Sequence, residues 1–218
     1  MNAKGTMKRF SSKQLIFGAL AFSIAAAVCS AQAPAPAPNS SPTSTPAPAK
    51  PRPPAKPGLT LTTTAFEDGG IIPNKYTIAA SPAPSVSPDL AWTHVPEGTV
   101  SFALILHDPD TSLARTTDEV LHWLIFNIPG STTSLPEAVP NVAQLPDGSI
   151  QGLNKAKKPG YMGMGMGSAG PYHHYTWELF ALDTKLTLGP DATRADLLAA
   201  INGHILDKAV LVGRFHRP

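Results

Sequence analysis

Apolar and polar positions alternate in short runs along the last three quarters of the chain, and those runs predict strands. Leu59, Leu61 and Thr63 alternate with threonines ahead of Phe66, and Asp68-Gly69-Gly70 follows as a turn. Residues 101–107 are almost continuously apolar between Gly98 and Pro109, the pattern of a buried central strand. A second such strand covers 122–128 and stops at Pro129-Gly130. A third, aromatic and β-branched, covers 175–182 and ends at Asp183; residues 209–215 form a last strand. Between these two, Thr193 with Asp196 three residues on has the form of a helix start. Leu197, Ile201 and Ile205 then recur every fourth residue and predict one apolar helix face. Short strands separated by turns, with one late helix, predict a mainly β domain, a sandwich or a barrel with a helical appendage.

The first 57 residues follow a different pattern. Lys4, Lys8, Arg9 and Lys13 precede an apolar run over 15–28, and the small residues Cys29-Ser30-Ala31 come next. This is the pattern of a secretory signal peptide over 1–31, too short and wrongly flanked for a spanning helix. Cleavage after Ala31 removes the only cysteine and predicts a periplasmic or secreted protein. Lipid anchoring at Cys29 is the alternative, and the bulky Val28 before it speaks against it. Residues 32–57 hold ten prolines among Ala, Ser, Thr, Lys and Arg, with little apolar area to bury. They read as a disordered, extended linker, which leaves 58–218 as the folded domain.

Charge changes the picture in one respect. The net charge of +2 arises from seven Lys/Arg and no acid in 1–57, so 58–218 carry ten basic and fifteen acidic side chains. The folded part is mildly acidic, which argues against a nucleic-acid partner.

Polar side chains of interest stand at the ends of the apolar strands. Asp108-Pro109-Asp110 closes the first. In extended chain, residues two apart share a face, so both carboxylates would point into one space. On composition alone a solvated turn is the simpler reading. His122 opens the second strand, and His173-His174 open the third. Neighbours in a strand face opposite ways, which groups His173 with Tyr175 and sets His174 with Thr176 on the other face. The segment 160–170 is rich in Gly and Met, and its backbone N–H groups suit an anion. Gly165, Gly167 and Gly170 match G-x-G-x-x-G, but a strand rather than a helix follows, so a dinucleotide site is rejected. No G-x-S-x-G, H-E-x-x-H or cysteine cluster occurs. Asp with His leaves metal-assisted hydrolysis as an alternative.

These motifs resemble the phosphatidylethanolamine-binding protein family, and within it the short bacterial Raf-kinase-inhibitor-like branch. The resemblance rests on Ser101-Phe102-Ala103-Leu104-Ile105-Leu106-His107-Asp108-Pro109-Asp110 and on His122-Trp123-Leu124-Ile125-Phe126-Asn127-Ile128-Pro129. Gly163-Met164-Gly165 and His173-His174-Tyr175 continue it, and it spans 59–215.

The resemblance implies a two-sheet antiparallel β-sandwich with a C-terminal helix. It also implies a pocket for a small anion, phosphate or a phospholipid head group, lined by Asp108, Asp110, His122, Gly165, His173 and Tyr175. In that pocket Asp108 and Asp110 would hold His122 and His173 and raise their pKa, so that the imidazoles donate to the anion. His174, facing away, would matter little. The expectation is a binding protein that is not an enzyme and holds no metal or other cofactor. Inhibition of an extracytoplasmic protein partner such as a protease is the alternative, and the bacterial branch is compatible with a homodimer. Three positions depart from the family: Met166-Gly167 replace a proline pair, His174 replaces an arginine, and 78–83 replace a Cys-Asp-Gly turn.

Overall fold

Two open sheets, one α-helix and a short 3-10 helix (Asn74–Tyr76) make up the regular structure among the described residues, seen in a computed structural model that describes residues 56–111, 115–165 and 170–217. All of these fall within one compact unit, Pro53–Pro218. The predicted signal peptide and all of the linker but Lys56 and Pro57 lie outside the described residues.

The small sheet contains β1 (Thr60–Thr62), β3 (Leu90–Thr93) and β6 (Ser134–Leu135), in the order β1-β3-β6. The large sheet adds β2 (Gly70–Ile71), β4 (Ser101–Asp108), β5 (Val120–Pro129), β7 (Ile150–Gln151), β8 (His173–Leu182) and β9 (Ile205–Phe215). Its order is β2-β9-β8-β4-β5-β7, antiparallel except for the short β2–β9 pair. Neither sheet closes, so the sandwich expectation holds and the barrel does not.

The near-continuous apolar runs are explained by cover on both faces of the large sheet. Phe102, Leu104 and Leu106 of β4 pack with Leu61 and Trp92 of the small sheet, and Trp92 meets Phe102 edge-on at 5.2 Å. The alternate residues Ala103 and Ile105 face the other way and pack with Leu197 and Ile201 of α1 (Arg194–Ile201). All eight residues of β4 are buried, which is why period-two alternation fails there.

The helix start is as expected, a reciprocal capping box between Thr193 and Asp196. Its end is not. Leu197 and Ile201 are buried, but the chain leaves the helix at Asn202, and Gly203 takes φ 86°. Ile205 therefore opens β9 and is 43% exposed, instead of completing the apolar helix face. β9 begins four residues earlier than its apolar pattern suggests, because its ladder with β8 carries Asp207 and Lys208 on a solvated edge.

One irregularity positions the site. The β4–β5 register pairs Leu106 with Trp123 but His107 with Leu121, so His122 is the extra residue of a β-bulge. A bulge re-aims its side chain. Here it turns His122 to the side of Tyr175, whose ring it meets edge-on at 5.2 Å.

Candidate functional site

The last β4–β8 register pair is His107 with Thr176. Beyond it, Asp108 and His173 continue the contact through side chains: His173 Nδ1 lies 2.7 Å from Asp108 Oδ2. Both are buried, Asp108 at 2% exposure. The carboxylate can only accept from this nitrogen, so Nδ1 carries the proton and Nε2 is left over. Asp108 is otherwise satisfied within its own turn. Its Oδ1 accepts from the Asp110 backbone N–H at 3.0 Å, and its Oδ2 from the Thr111 hydroxyl at 3.1 Å. Asp-Pro-Asp is thus a turn, as its composition suggested, yet its first carboxylate is buried.

That turn corrects the expectation for Asp110. The period-two rule does not carry past the end of β4, because the Asp108 side chain bends the chain back onto the Asp110 N–H. Asp110 is exposed and holds neither His122 nor His173. Its Oδ2 accepts instead from the backbone N–H and the Nδ1 of His174, at 2.7 and 2.8 Å. Burial pushes the Asp110 carboxyl up, but these donors outweigh it and hold the group below its ordinary value. One ligand atom each from Asp108, Asp110 and His173 nevertheless falls within 4.8 Å.

His122 is also oriented differently from the expectation. Its Nδ1 donates to the Met162 carbonyl at 3.0 Å, while its own carbonyl accepts from the Met162 N–H at 2.9 Å. Burial lowers its pKa, more than the carbonyls of Met162 and Gly163 and the Asp108 charge raise it. The ring is therefore neutral at pH 7, with Nε2 as its remaining polar atom.

Tyr175 stands next to both histidines on the inward side of β8. Its hydroxyl is buried and has no partner among the described residues. Burial, with the charges of Asp108 and Asp110, pushes its pKa far above the ordinary value, so it is a neutral donor. Gly165 is placed by its neighbour: the Met164 carbonyl accepts from the Ile78 N–H at 2.9 Å. A Cβ on Gly165 would come within 2.9 Å of the Ile78 side chain. The structure links Gly165 to His122 only through the Met162–Met164 segment, and residues 166–169 lie outside the described residues.

Three contacts of the site were not singled out from the sequence. Thr111, three residues after Asp108, was open to being read as a turn partner. The Met162 carbonyl carries no side-chain signal, and His174 was assigned to the far face without regard to Asp110. On that far face lies a separate ionic cluster: His107 contacts Glu119 and lies 3.4 Å from Glu178, while Arg194 and Lys208 pair with the two glutamates. The nearby His107 ring, with Lys208, lowers the Glu178 carboxyl to about 2 against its burial. A cleft of about 420 Å³ lies among Ile78, Ser85, Asn154, Lys158, Tyr161 and Gly163; none of the six predicted residues lines it.

Comparison with known proteins is consistent across sequence and fold. The profile of the family described as phosphatidylethanolamine-binding protein matches residues 62–216. The UPF0098 protein of Methanothermobacter thermautotrophicus is 43% identical over 159 residues, which cover 73% of this chain and 99% of that protein. A UPF0098 protein of Aquifex aeolicus is 37% identical, over 70% of this chain and 85% of its own length. Among solved structures, a phosphatidylethanolamine-binding protein homolog from Chlamydia trachomatis has a TM-score of 0.65 at 31% identity, covering 74% of this chain and 99% of that one. YbcL of E. coli, described as a member of the mammalian family, has a TM-score of 0.66 at 27% identity, covering 74% of this chain and all of that one.

Proposed function

The chain belongs to the phosphatidylethanolamine-binding protein family, and on that premise we propose that it binds a small phosphate-like anion, free or as a phospholipid head group. The pocket lies between the end of β4, the bulge of β5 and the start of β8. The observation that carries this reading is the buried Tyr175 hydroxyl, which has no partner among the described residues. An unsatisfied buried polar group costs about 1–3 kcal/mol, which a ligand oxygen accepting from it would remove. His122 and His173 support the same reading. Each spends Nδ1 inside the protein, on Met162 and Asp108 respectively, and keeps Nε2, which becomes a donor to an anion when the ring is protonated. The expectation that both acids activate pocket histidines is replaced by one acid, Asp108, on one histidine, His173.

Binding rather than catalysis suits the hydroxyl geometry. Thr111 Oγ1 lies 3.3 Å from His173 Nδ1, the nitrogen that also faces Asp108. A nucleophile activated by a histidine sits on the nitrogen opposite the carboxylate, and Thr111 sits on the same one. The second reading with an observation behind it is metal-assisted hydrolysis, from the clustering of Asp108, Asp110 and His173. Against it, Oδ2 of each carboxylate already accepts from a histidine. The basic n-region, the apolar run and Cys29-Ser30-Ala31 support export of the protein.

Native mass spectrometry of protein from its own source tests these points together. The expected spectrum has an N-terminus near Gln32 and a bound phosphate-bearing molecule, without zinc or manganese. One equivalent of either metal, lost with a chelator together with thermal stability, would replace the anion pocket with the hydrolase reading. An intact Met1 would remove export. A complex with another protein in place of a small ligand would favour the inhibitor reading.

A further inference from the structure

Two acid–histidine rungs, not one, join β4 to β8 beyond their last backbone pair. The inner rung is Asp108 with His173, buried; the outer is Asp110 with His174, exposed at the rim. They are coupled through the turn, because Asp108 Oδ1 holds the backbone N–H of Asp110. In the outer rung a single oxygen, Asp110 Oδ2, takes both the backbone N–H and the ring Nδ1 of His174. Two donors on one oxygen restrict the rotation of that carboxylate, which stands in the same cluster as Asp108 and His173.

We infer that His174 is a positioning residue of the pocket: its ring points away from the ligand space but fixes the Asp110 carboxylate at the pocket's edge. Without the ring, only the backbone N–H holds Oδ2. The carboxylate gains rotamers and brings its charge over the space where an anion would meet His173, so the anion binds more weakly. The ring acts on Asp110 as an N–H donor in the imidazolium and in one neutral tautomer alike, and its charge adds to that hold when it is protonated. The charged and titratable groups around it are consistent with that. Arg214 lies opposite His174 in the β8–β9 register and is committed through Nε to the Gly69 carbonyl at 2.7 Å. Tyr172 lies beneath that guanidinium at 5.9 Å and meets the His216 ring at 4.1 Å, tilted by 60°. A side-chain amide can replace such a donor although it never carries charge.

The test compares wild type with His174→Ala and His174→Asn. The amide proton of residue 174 donates to Asp110 in all three, so its shift on acidification reports the Asp110 titration. His174→Ala should raise that midpoint toward the ordinary carboxylate value of about 3.9, and His174→Asn should place it between alanine and wild type, because the amide restores the N–H donor but not the imidazolium charge. Affinity for inorganic phosphate should fall by up to about fivefold in His174→Ala, the upper end for loss of an exposed ion pair, and largely recover in His174→Asn. The affinity arm rests on the pocket reading; the titration arm does not. An unchanged midpoint in His174→Ala, or an asparagine variant that behaves like alanine, overturns the inference. Phosphate that binds no variant while the midpoint shifts as stated upholds the positioning role and sinks the pocket reading alone.

Discussion

His173→Ala should destabilise the protein by about 3–5 kcal/mol, the cost typical of leaving a buried charge without its partner. Asp108 is 2% exposed and His173 is its shortest contact, at 2.7 Å. After the substitution, the carboxylate keeps among the described residues the Thr111 hydroxyl and the Asp110 N–H, too few donors to replace the water it lost on folding. These two contacts place the expectation nearer the lower figure. His174→Ala is the matched control: its pair is exposed, with side chains 52% and 39% accessible, and such pairs contribute about 0–1 kcal/mol. Asp108→Asn combined with His173→Ala should recover part of the loss, because it removes the stranded charge. Urea unfolding of the four proteins reads the effect. Equal, small losses in the two single histidine variants would show that the inner rung does not hold β4 to β8.

The second large effect is on affinity. Sulfate is the appropriate probe because its charge does not change across pH 5–8. In the free protein, burial holds the His122 ring below its ordinary value, so at neutral pH its Nε2 is an acceptor and offers nothing to an anion. An anion beside Nε2 favours the protonated ring and raises its pKa in the complex. The gain in binding is then fully present below the free-state pKa and is lost as pH rises through the bound-state value. Each unit between the two is worth about tenfold in affinity. Sulfate should therefore bind more tightly at pH 5 than at pH 7.5, about tenfold for a bound-state rise of one unit. In His122→Ala binding should be weaker and that part of the slope absent. A flat profile in the wild type, measured by calorimetry, would exclude His122 from the site.

Parts of this site were legible in residue types and parts were not, for physical reasons. The strand cores of β4 and β5 read directly, because cover on both faces calls for apolar residues at nearly every position, and β8 does so only over its last four residues, Leu179–Leu182. The partition of His173 and His174 to opposite faces followed from strand periodicity and agrees with their burial, one buried and one exposed. The helix cap at Thr193 read directly too, since it consists of two side chains at fixed spacing. Ile205 misled because a four-residue apolar spacing extends without a break across Gly203, where the backbone turns out of the helix. The orientation of His122 depends on a bulge and on a main-chain carbonyl, neither of which has a residue signature. Asp110 went to His174 because a turn, unlike a strand, does not keep alternate residues on one face.

The central claim is a location: that an anion sits against Tyr175, His122 and His173. It is tested most directly by titrating inorganic phosphate into isotopically labelled protein and following backbone amides together with the histidine and tyrosine rings. Saturable shifts should concentrate at the ring nitrogens of His122 and His173, at the Tyr175 ring, and at the amides of Asp110 and Gly165. Tyr175→Phe, which removes only the unpartnered hydroxyl, should weaken the binding. Shifts centred instead on Asn154, Lys158 and Ser85, around the separate 420 Å³ cleft, with Tyr175→Phe binding as wild type does, would contradict the account.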